Sequence, residues 1–400
     1  MSILAPAQLA LHVYAPVWSQ TKEYIGDYTD DCVAYEHTLL ANGGMWNGSL
    51  TLRQSPAGAE QRLARNLAQA RARGEAWLEH GLGRHVEVRA LGSTEIFSGF
   101  VNEVEVAISG YRRRIGPLTD VVNKARLVCA YDDPDLPITG IPLTTDWVED
   151  TTSQARWGVR ARTYAAGGIT LDRVDTTLAM HLERYKSPPR SEELDLLTAD
   201  NASQVEVRLT LAGYAQALDA QPYASTTRGT IEVGDKIKAI LGGDDNSQIA
   251  RDYALIERNP TLVNAYEADH VSAWSLIRSL TAGGDAQLFR WTFGVYGGRR
   301  AHYRQVDNTI SYLRPLGSGM ARVQGADAQE LRAWEVWPGR YIGVAGLVPG
   351  RALATNLQTD NRVLFAESVQ FRAPDELTIN GAHAFRIEQR LAGLGLNGVG

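Results

Sequence analysis

Two residues in the first quarter of the chain belong to types that do covalent chemistry together: the cysteine of Asp31-Cys32 and the histidine of His85-Val86-Glu87-Val88. A thiol attacks a carbonyl carbon as the thiolate, and an imidazole within hydrogen-bond reach can take its proton, so the pair admits acyl transfer by a nucleophilic cysteine. A third polar residue should orient the imidazole, and where it is expected the chain has Ile96-Phe97. The histidines His80, His181, His270, His302 and His383 are scattered and form no His-Glu-x-x-His pair, so no metal is expected. Asp132, Asp133 and Asp135, and Asp244, Asp245 and Asn246, offer oxygen ligands but lack the spacing and closing Glu of a calcium loop; turn chemistry accounts for both runs. There is no Gly-x-Gly-x-x-Gly after a strand, no Gly-Lys-Ser/Thr phosphate loop and no Gly-x-Ser-x-Gly elbow, so no cofactor is expected. Cys32 and Cys129 give no disulfide framework and are expected to be reduced.

The elements that must carry these residues are mostly strands. In the stretch Gly83 to Ser109, Val86 and Val88 alternate with charged residues, a Leu-Gly-Ser-Thr turn follows, and Phe100, Val104, Val106 and Ile108 fall on one face of a second strand. This pattern predicts a long hairpin with one wet side. Before it, Trp46, Gly48, Leu50 and Leu52 alternate with polar residues as a strand, and Leu9 to Trp18 with Pro16 reads as an edge strand. Ser55-Pro56 opens a helix to His80 with Leu63, Leu67, Ala70 and Trp77 on one face and Arg62, Arg65, Arg71 and Arg73 exposed. Tyr111-Arg112-Arg113-Arg114 reads as a solvated strand end.

A proline-rich break from Asp132 to Pro142 marks a domain boundary. Helices are predicted over Ser153–Tyr164, Thr170–Lys186, Thr230–Leu241 and Ser272–Leu280, and a clean strand over residues 204–214. The last third reads as short strands, including Arg340–Val344, Val363–Phe371 and Ala384–Gln389. The expected fold class is mainly β (α+β), with two barrel-like antiparallel β domains and helical insertions. The segments are residues 1–135 with the inserted helix 55–80, a helical insertion with connecting strands over 136–245, and a second barrel-like domain over 246–400.

With 400 residues, the chain can bury more than one core. Its 44% hydrophobic and 22% charged residues are a globular balance, and a net charge of −6 argues against a surface that grips nucleic acid. No run reaches the roughly 18 apolar residues of a membrane helix, and the start lacks a secretory signal, so synthesis and folding in a cytoplasm and no stable membrane association are expected. Aromatic residues at alternating spacing in the strands invite a carbohydrate-platform reading, though such residues are mostly core.

The Cys32 and His85 stretches resemble the papain-like peptidoglycan hydrolases of the NlpC type, where an Asp-Cys pair opens a helix and a His-Val-x-Ile strand supplies the base. No Ser-Gly follows Cys32 and no Gly-Asp-Leu precedes the histidine strand. A resemblance covering more of the chain is to phage tail hub proteins, which include contractile-tail baseplate hubs, minor tail proteins at the tail tip and the bases of type VI secretion spikes. It is carried by Ile96-Phe97-Ser98-Gly99-Phe100-Val101 after a strand and turn, by Gly43-Gly44-Met45-Trp46-Asn47-Gly48-Ser49-Leu50, by Ala155-Arg156-Trp157-Gly158 and by Trp334-Glu335-Val336-Trp337-Pro338-Gly339-Arg340-Tyr341.

That second resemblance implies a structural, non-enzymatic component of a virion tail, assembled in the bacterial host cytoplasm. Three copies would form a hub ring at the end of the tail tube, meeting distal tube proteins, the tape measure protein and tip or fibre proteins. DNA would pass only transiently through the lumen, whose acidic wall offers phosphate no neutralisation. Such hubs often carry a C-terminal lytic domain, and the ending Leu391-Ala392-Gly393-Leu394-Gly395-Leu396 leaves none expected here. The arginines of the helix 55–80 are the assembly candidates. The alternatives are the cysteine hydrolase on Cys32 and His85 and a host-carbohydrate-binding tip protein.

Overall fold

The computed structural model describes residues 2–18, 23–54, 60–90, 94–108, 110–131, 140–167, 171–194, 205–243, 248–287, 289–307, 309–314, 319–324, 327–344 and 363–383. The first third forms β1 (Leu9–Pro16), β2 (Tyr24–Asp27), β3 (Cys32–Leu40), β4 (Gly43–Gln54), α1 (Glu60–His80), β5 (Arg84–Ala90), β6 (Glu95–Ile108) and β7 (Tyr111–Ile115). β1 pairs with β2 and with β5, so it is an interior strand rather than an edge. Pro16 is tolerated because it ends the strand, beyond a register shift, where its missing N–H breaks no ladder.

The hairpin β5–β6 forms as expected, but its wet side is confined to one half. Ile96 to Val101 are all buried, whereas in the second half Val104 and Val106 are buried while Glu103 and Glu105 face outward to Arg114 and Arg208. The change follows from what lies over each half. Gly99 sits where the backbone of residue 212 crosses: a Cβ there would stand 2.5 Å from the Ala212 carbonyl oxygen, so the Phe-Ser-Gly-Phe sequence requires glycine at its third place.

The middle segment forms β8 (Lys124–Tyr131), β9 (Ile141–Thr144), β10 (Val148–Glu149), α2 (Thr151–Trp157), β11 (Ala161–Gly167), α3 (Leu171–Tyr185), β12 (Arg190–Leu194) and β13 (Val205–Ala212). The helix expected to reach Tyr164 stops at Trp157, and residues 161–167 instead run as a strand parallel to β8. Asp150 caps α2 by accepting from the Ser153 N–H at 2.8 Å, and Gly158 at φ +73° ends it. The buried Asn123 holds the exit by donating to the Gly158 carbonyl at 2.8 Å and accepting from the Arg160 N–H at 2.7 Å. α3 forms over the expected span and packs Val174, Leu178 and Leu182 with Leu127 and Cys129.

Then follow α4 (Tyr214–Ala217), β14 (Pro222–Ser225), β15 (Thr230–Glu232), α5 (Val233–Leu241), β16 (Leu262–Asn264), β17 (Glu267–Ser272), α6 (Ala273–Gly283), β18 (Trp291–Tyr296), β19 (Arg300–Gln305), β20 (Ile310–Arg314), β21 (Met320–Gln324), β22 (Asp327–Leu331), β23 (Tyr341–Val344), β24 (Val363–Arg372) and β25 (Glu376–His383). The expected helix 230–241 begins only at Val233, its first three residues being strand β15. The expected strand Ala384–Gln389, the aspartate runs at 132–135 and 244–246, and Leu391 to Leu396 lie outside the described residues.

The fold is mainly β. Among the described residues, seventeen strands join in one large sheet that curls into a half-barrel. β13 lies antiparallel between β4 and β6, β24 pairs with β3, and β18 runs beside β4 at Gly43 and Gly44, so strands from the expected limits on either side of 135 and 245 share this sheet.

Candidate functional site

The structure does not bring Cys32 and His85 into a nucleophile–base pair. Cys32 starts β3 fully buried, its Sγ donating to the Ala34 carbonyl at 3.3 Å. Burial pushes its thiol up to about 12, opposite to what a nucleophilic cysteine needs. His85 spends both ring nitrogens elsewhere: Nδ1 lies 2.6 Å from the Tyr214 hydroxyl and Nε2 lies 2.8 Å from Glu87 Oε1. A carboxylate only accepts, so Nε2 bears the proton that faces Glu87.

His85 belongs to a polar ladder on the face of β5 that alternation alone predicts to be wet. Residues 85, 87 and 89 share one side of β5, while Val86, Val88 and Ala90 fill the core on the other. Glu87 is 1% exposed; its Oε2 accepts from Arg89 Nη2 at 2.6 Å and Nε at 3.0 Å. Tyr14 of β1 and Tyr214 of α4 close over the ladder, their rings 5.6 and 5.7 Å from that of His85. Alternation along β5 was legible; that Tyr214 of α4, 129 residues after His85, covers the polar side was not.

Of the arginines expected on the assembly face, Arg71 and Arg73 are exposed on α1, and the side chains of Arg62 and Arg65 lie outside the described residues. Ala70 and Trp77 are buried between them and the sheet, and at Gly74 a Cβ would come within 2.9 Å of Val106 Cγ1. The closeness of α1 to β6 thus depends on a missing side chain. The basic run of residues 111–114 is strand β7, laid between β6 and β12. Two of its three arginines are matched within the chain: Arg113 meets Glu75 at 2.6 Å and Glu192 at 3.3 Å, and Arg114 meets Glu103 at 2.6 Å, while Tyr111 donates to Glu192 at 2.8 Å. β12 is exposed along its whole length, Leu194 included.

Among the described residues no group of three or more His, Cys, Asp or Glu is placed to hold a metal ion, and no helix is long and apolar enough to cross a membrane. The aromatics of the four tail-hub stretches are largely core: Phe97, Phe100 and Trp157 are buried, and Trp46, Trp334 and Trp337 pack against the same cluster.

No family model matches the sequence, and no curated protein matches it. Over most of its length the chain is similar to solved tail proteins. One is the 43 kDa tail protein of prophage MuSo2 from Shewanella oneidensis, at 7% identity and a TM-score of 0.39, covering 94% of this chain and 96% of that one. A tail protein from Neisseria meningitidis MC58 is similar at 8% identity and a TM-score of 0.39, with the same coverage of both chains, 94% and 96%. The E. coli c3393 protein, described as a type VI secretion component with structural similarity to the T4 bacteriophage tail proteins gp27 and gp5, is similar at 9% identity and a TM-score of 0.37, over 89% of this chain and 74% of that one.

Proposed function

We propose that the chain is a structural component of a phage or phage-derived tail tip, forming a homotrimeric hub ring that closes the tail tube. The observation that carries this reading is convergence. Three of the four stretches on which the tail-hub resemblance rests contribute buried residues to one hydrophobic core, and the fourth packs Trp334 and Trp337 against it while its Val336 and Tyr341 fill two smaller clusters. Met45, Leu50, Phe97, Phe100, Val101 and Trp157 are buried in it, with Trp46, Trp334 and Trp337 against its margin. They are therefore the internal ties of one body rather than four unrelated likenesses. The glycine of the Phe-Ser-Gly-Phe stretch has its own physical reason, the crossing of the chain at Ala212.

In this role the outward face of α1 and the exposed edge at β12 meet neighbouring copies, and tube, tape measure and tip or fibre proteins bind the ring's two ends. DNA crosses the lumen without a lasting contact. The burial of Cys32 and the committed hydrogen bonds of His85 favour a structural over a hydrolytic role for these two residues.

Sedimentation of the purified chain tests the assembly. The expected result is a trimer that loosens between 0.1 M and 1 M salt, as the Debye length falls from about 10 Å to about 3 Å, and that Arg71→Glu with Arg73→Glu loosens at low salt. A trimer indifferent to salt and to the double reversal removes α1 from the interface. A particle image with this chain labelled away from the tail tip overturns the hub itself.

A further inference from the structure

Beside the trunk of the sheet, a cavity of about 620 Å³ opens between the ends of β18 and β19, strand β20 and the Trp337–Arg340 segment. Three arginines from separate elements line it: Arg304 of β19, Arg322 of β21 and Arg340 just before β23. All three are half-buried, and among the described residues none makes an ion pair. Asp307 is the cavity's one carboxylate and is exposed at its mouth.

Such a grouping is costly as it stands. Burial first, and then the Arg304 charge, hold the Arg340 guanidinium below its ordinary value. Burial, followed by Arg304 and Arg300, drops His302 to about 4, so at neutral pH its imidazole is an uncharged part of the wall. Other arginines of the sheet and its flanking loops are matched: Arg258 by Glu232 at 2.7 Å, Arg372 by Glu36 at 3.1 Å. Here the repulsion is left standing around an open volume, which is the arrangement of a site whose counter-charge arrives from outside.

The rest of the lining limits what arrives. The Tyr296 ring stands 5.7 Å from that of Trp337 and 4.8 Å from that of His302, making one aromatic wall. Tyr312 is fixed by accepting from the Trp337 N–H at 3.2 Å. The hydroxyl side chains of Thr309 and Ser311 lie at the same cavity. Flat apolar faces, hydroxyl partners and a volume in the range of small-molecule sites suit a ring body that bears the charge.

We propose that this cavity binds a small acidic saccharide, its phosphate or carboxylate oxygens held by Arg304, Arg322 and Arg340 and its ring against Tyr296 and Trp337. The site is independent of the trimer: it is complete within one chain.

Calorimetric titration of the full chain with glucose 6-phosphate, glucuronate, inorganic phosphate and glucose tests it, with Trp fluorescence as a second readout. The expected order is the sugar phosphate or the uronate above inorganic phosphate, with no binding of glucose; which of the first two is tighter identifies the oxyanion. Arg304→Ala or Arg340→Ala should each weaken binding about ten- to a hundredfold, the loss of one charge-assisted contact, and Arg304→Lys by less, since lysine keeps the charge but not the fork. Arg258→Ala, on another surface, should bind as the wild type, and matched thermal melts exclude misfolding as the cause. Inorganic phosphate binding as tightly as the sugar phosphate leaves an anion site without the saccharide and overturns the proposal. Equal binding of glucose, no binding of any anion at millimolar concentration, or anion binding unmoved by the arginine variants also overturns it.

Discussion

The ladder on β5 and the cavity beside β20 are built from the same residue types, histidine, arginine and tyrosine, with opposite accounting. In the ladder, Tyr214, His85, Glu87 and Arg89 follow one another in hydrogen bonds, and the carboxylate is as deeply buried as Tyr214, at 1% exposure. In the cavity three guanidiniums face a space with a single exposed carboxylate at its rim. A closed chain of hydrogen bonds holds elements in place, here β1, β5 and α4, and leaves nothing for a ligand to satisfy. An open cluster of like charge does the reverse: it contributes little to the fold and much to recognition. Composition alone does not separate the two, because the difference lies in whether the counter-charge comes from the same chain.

The strongest way to break the comparison is to take the carboxylate out of the ladder. Glu87→Ala leaves the Arg89 fork without its acceptor and His85 Nε2–H without a partner in a buried layer, and should destabilise the chain by about 3–5 kcal/mol in urea unfolding. A loss under about 1 kcal/mol means that water or a rearranged partner reaches the ladder and that it is no more closed than the cavity.

Acid sharpens the contrast between neutral and charged burial. His37 sits fully buried with Nδ1 2.8 Å from the Tyr35 hydroxyl and its ring between Phe97 and Phe371, at 5.6 and 5.4 Å. Burial lowers it to about 3, so its folded value lies below its unfolded one. The stability tied to its neutral form is complete above about pH 6.5 and is lost as pH falls from there toward 3, reaching several kcal/mol at the acid end. Comparing the pH dependence of unfolding in wild type and His37→Phe isolates this slope, which should be shallower in the variant. Parallel curves place the acid sensitivity elsewhere.

How much of this was written in the sequence depends on range. Period-two alternation located β4, β13 and the second half of β6, and helical spacing located α3, because in each the face toward the core is set by near neighbours. The misplaced helix after Trp157 turned on Asn123, whose side chain fixes the exit at Gly158 from 35 residues away. The ladder hid in plain alternation, since His85 and Glu87 have the pattern of a wet face until Tyr214 covers them. The cavity was the least visible: Arg304, Arg322 and Arg340 are single basic residues in three different strands or turns, and only the sheet brings them together. His302 was seen as one of several scattered histidines, and its neighbours carry no local signature. The four short stretches of the tail-hub resemblance, by contrast, were legible because glycine and tryptophan mark places where distant backbone must pass close or pack.

The smallest effects separate the two regions most cleanly, because they come from one substitution made twice. Arg89→Ala removes a half-buried cation from a carboxylate that is 1% exposed and hydrogen-bonded to it at two points, so the fold should lose about 1–3 kcal/mol, the usual penalty for a buried acceptor stripped of charged donors. Arg304→Ala removes a half-buried cation that makes no ion pair among the described residues and that is mutually repulsive with Arg340. The packing lost with its stem is offset by relief of that repulsion, so in chloride buffer its unfolding free energy should lie within about 0.5 kcal/mol of wild type, as for a surface change without a partner. In phosphate buffer of the same ionic strength the wild type should gain stability over Arg304→Ala, while the gap between wild type and Arg89→Ala stays fixed, since an anion that binds the folded cavity stabilises only the chain that still binds it. If Arg304→Ala costs as much as Arg89→Ala in chloride, its guanidinium has a partner in the fold, and the contrast between a closed ladder and an open cavity fails at its second member.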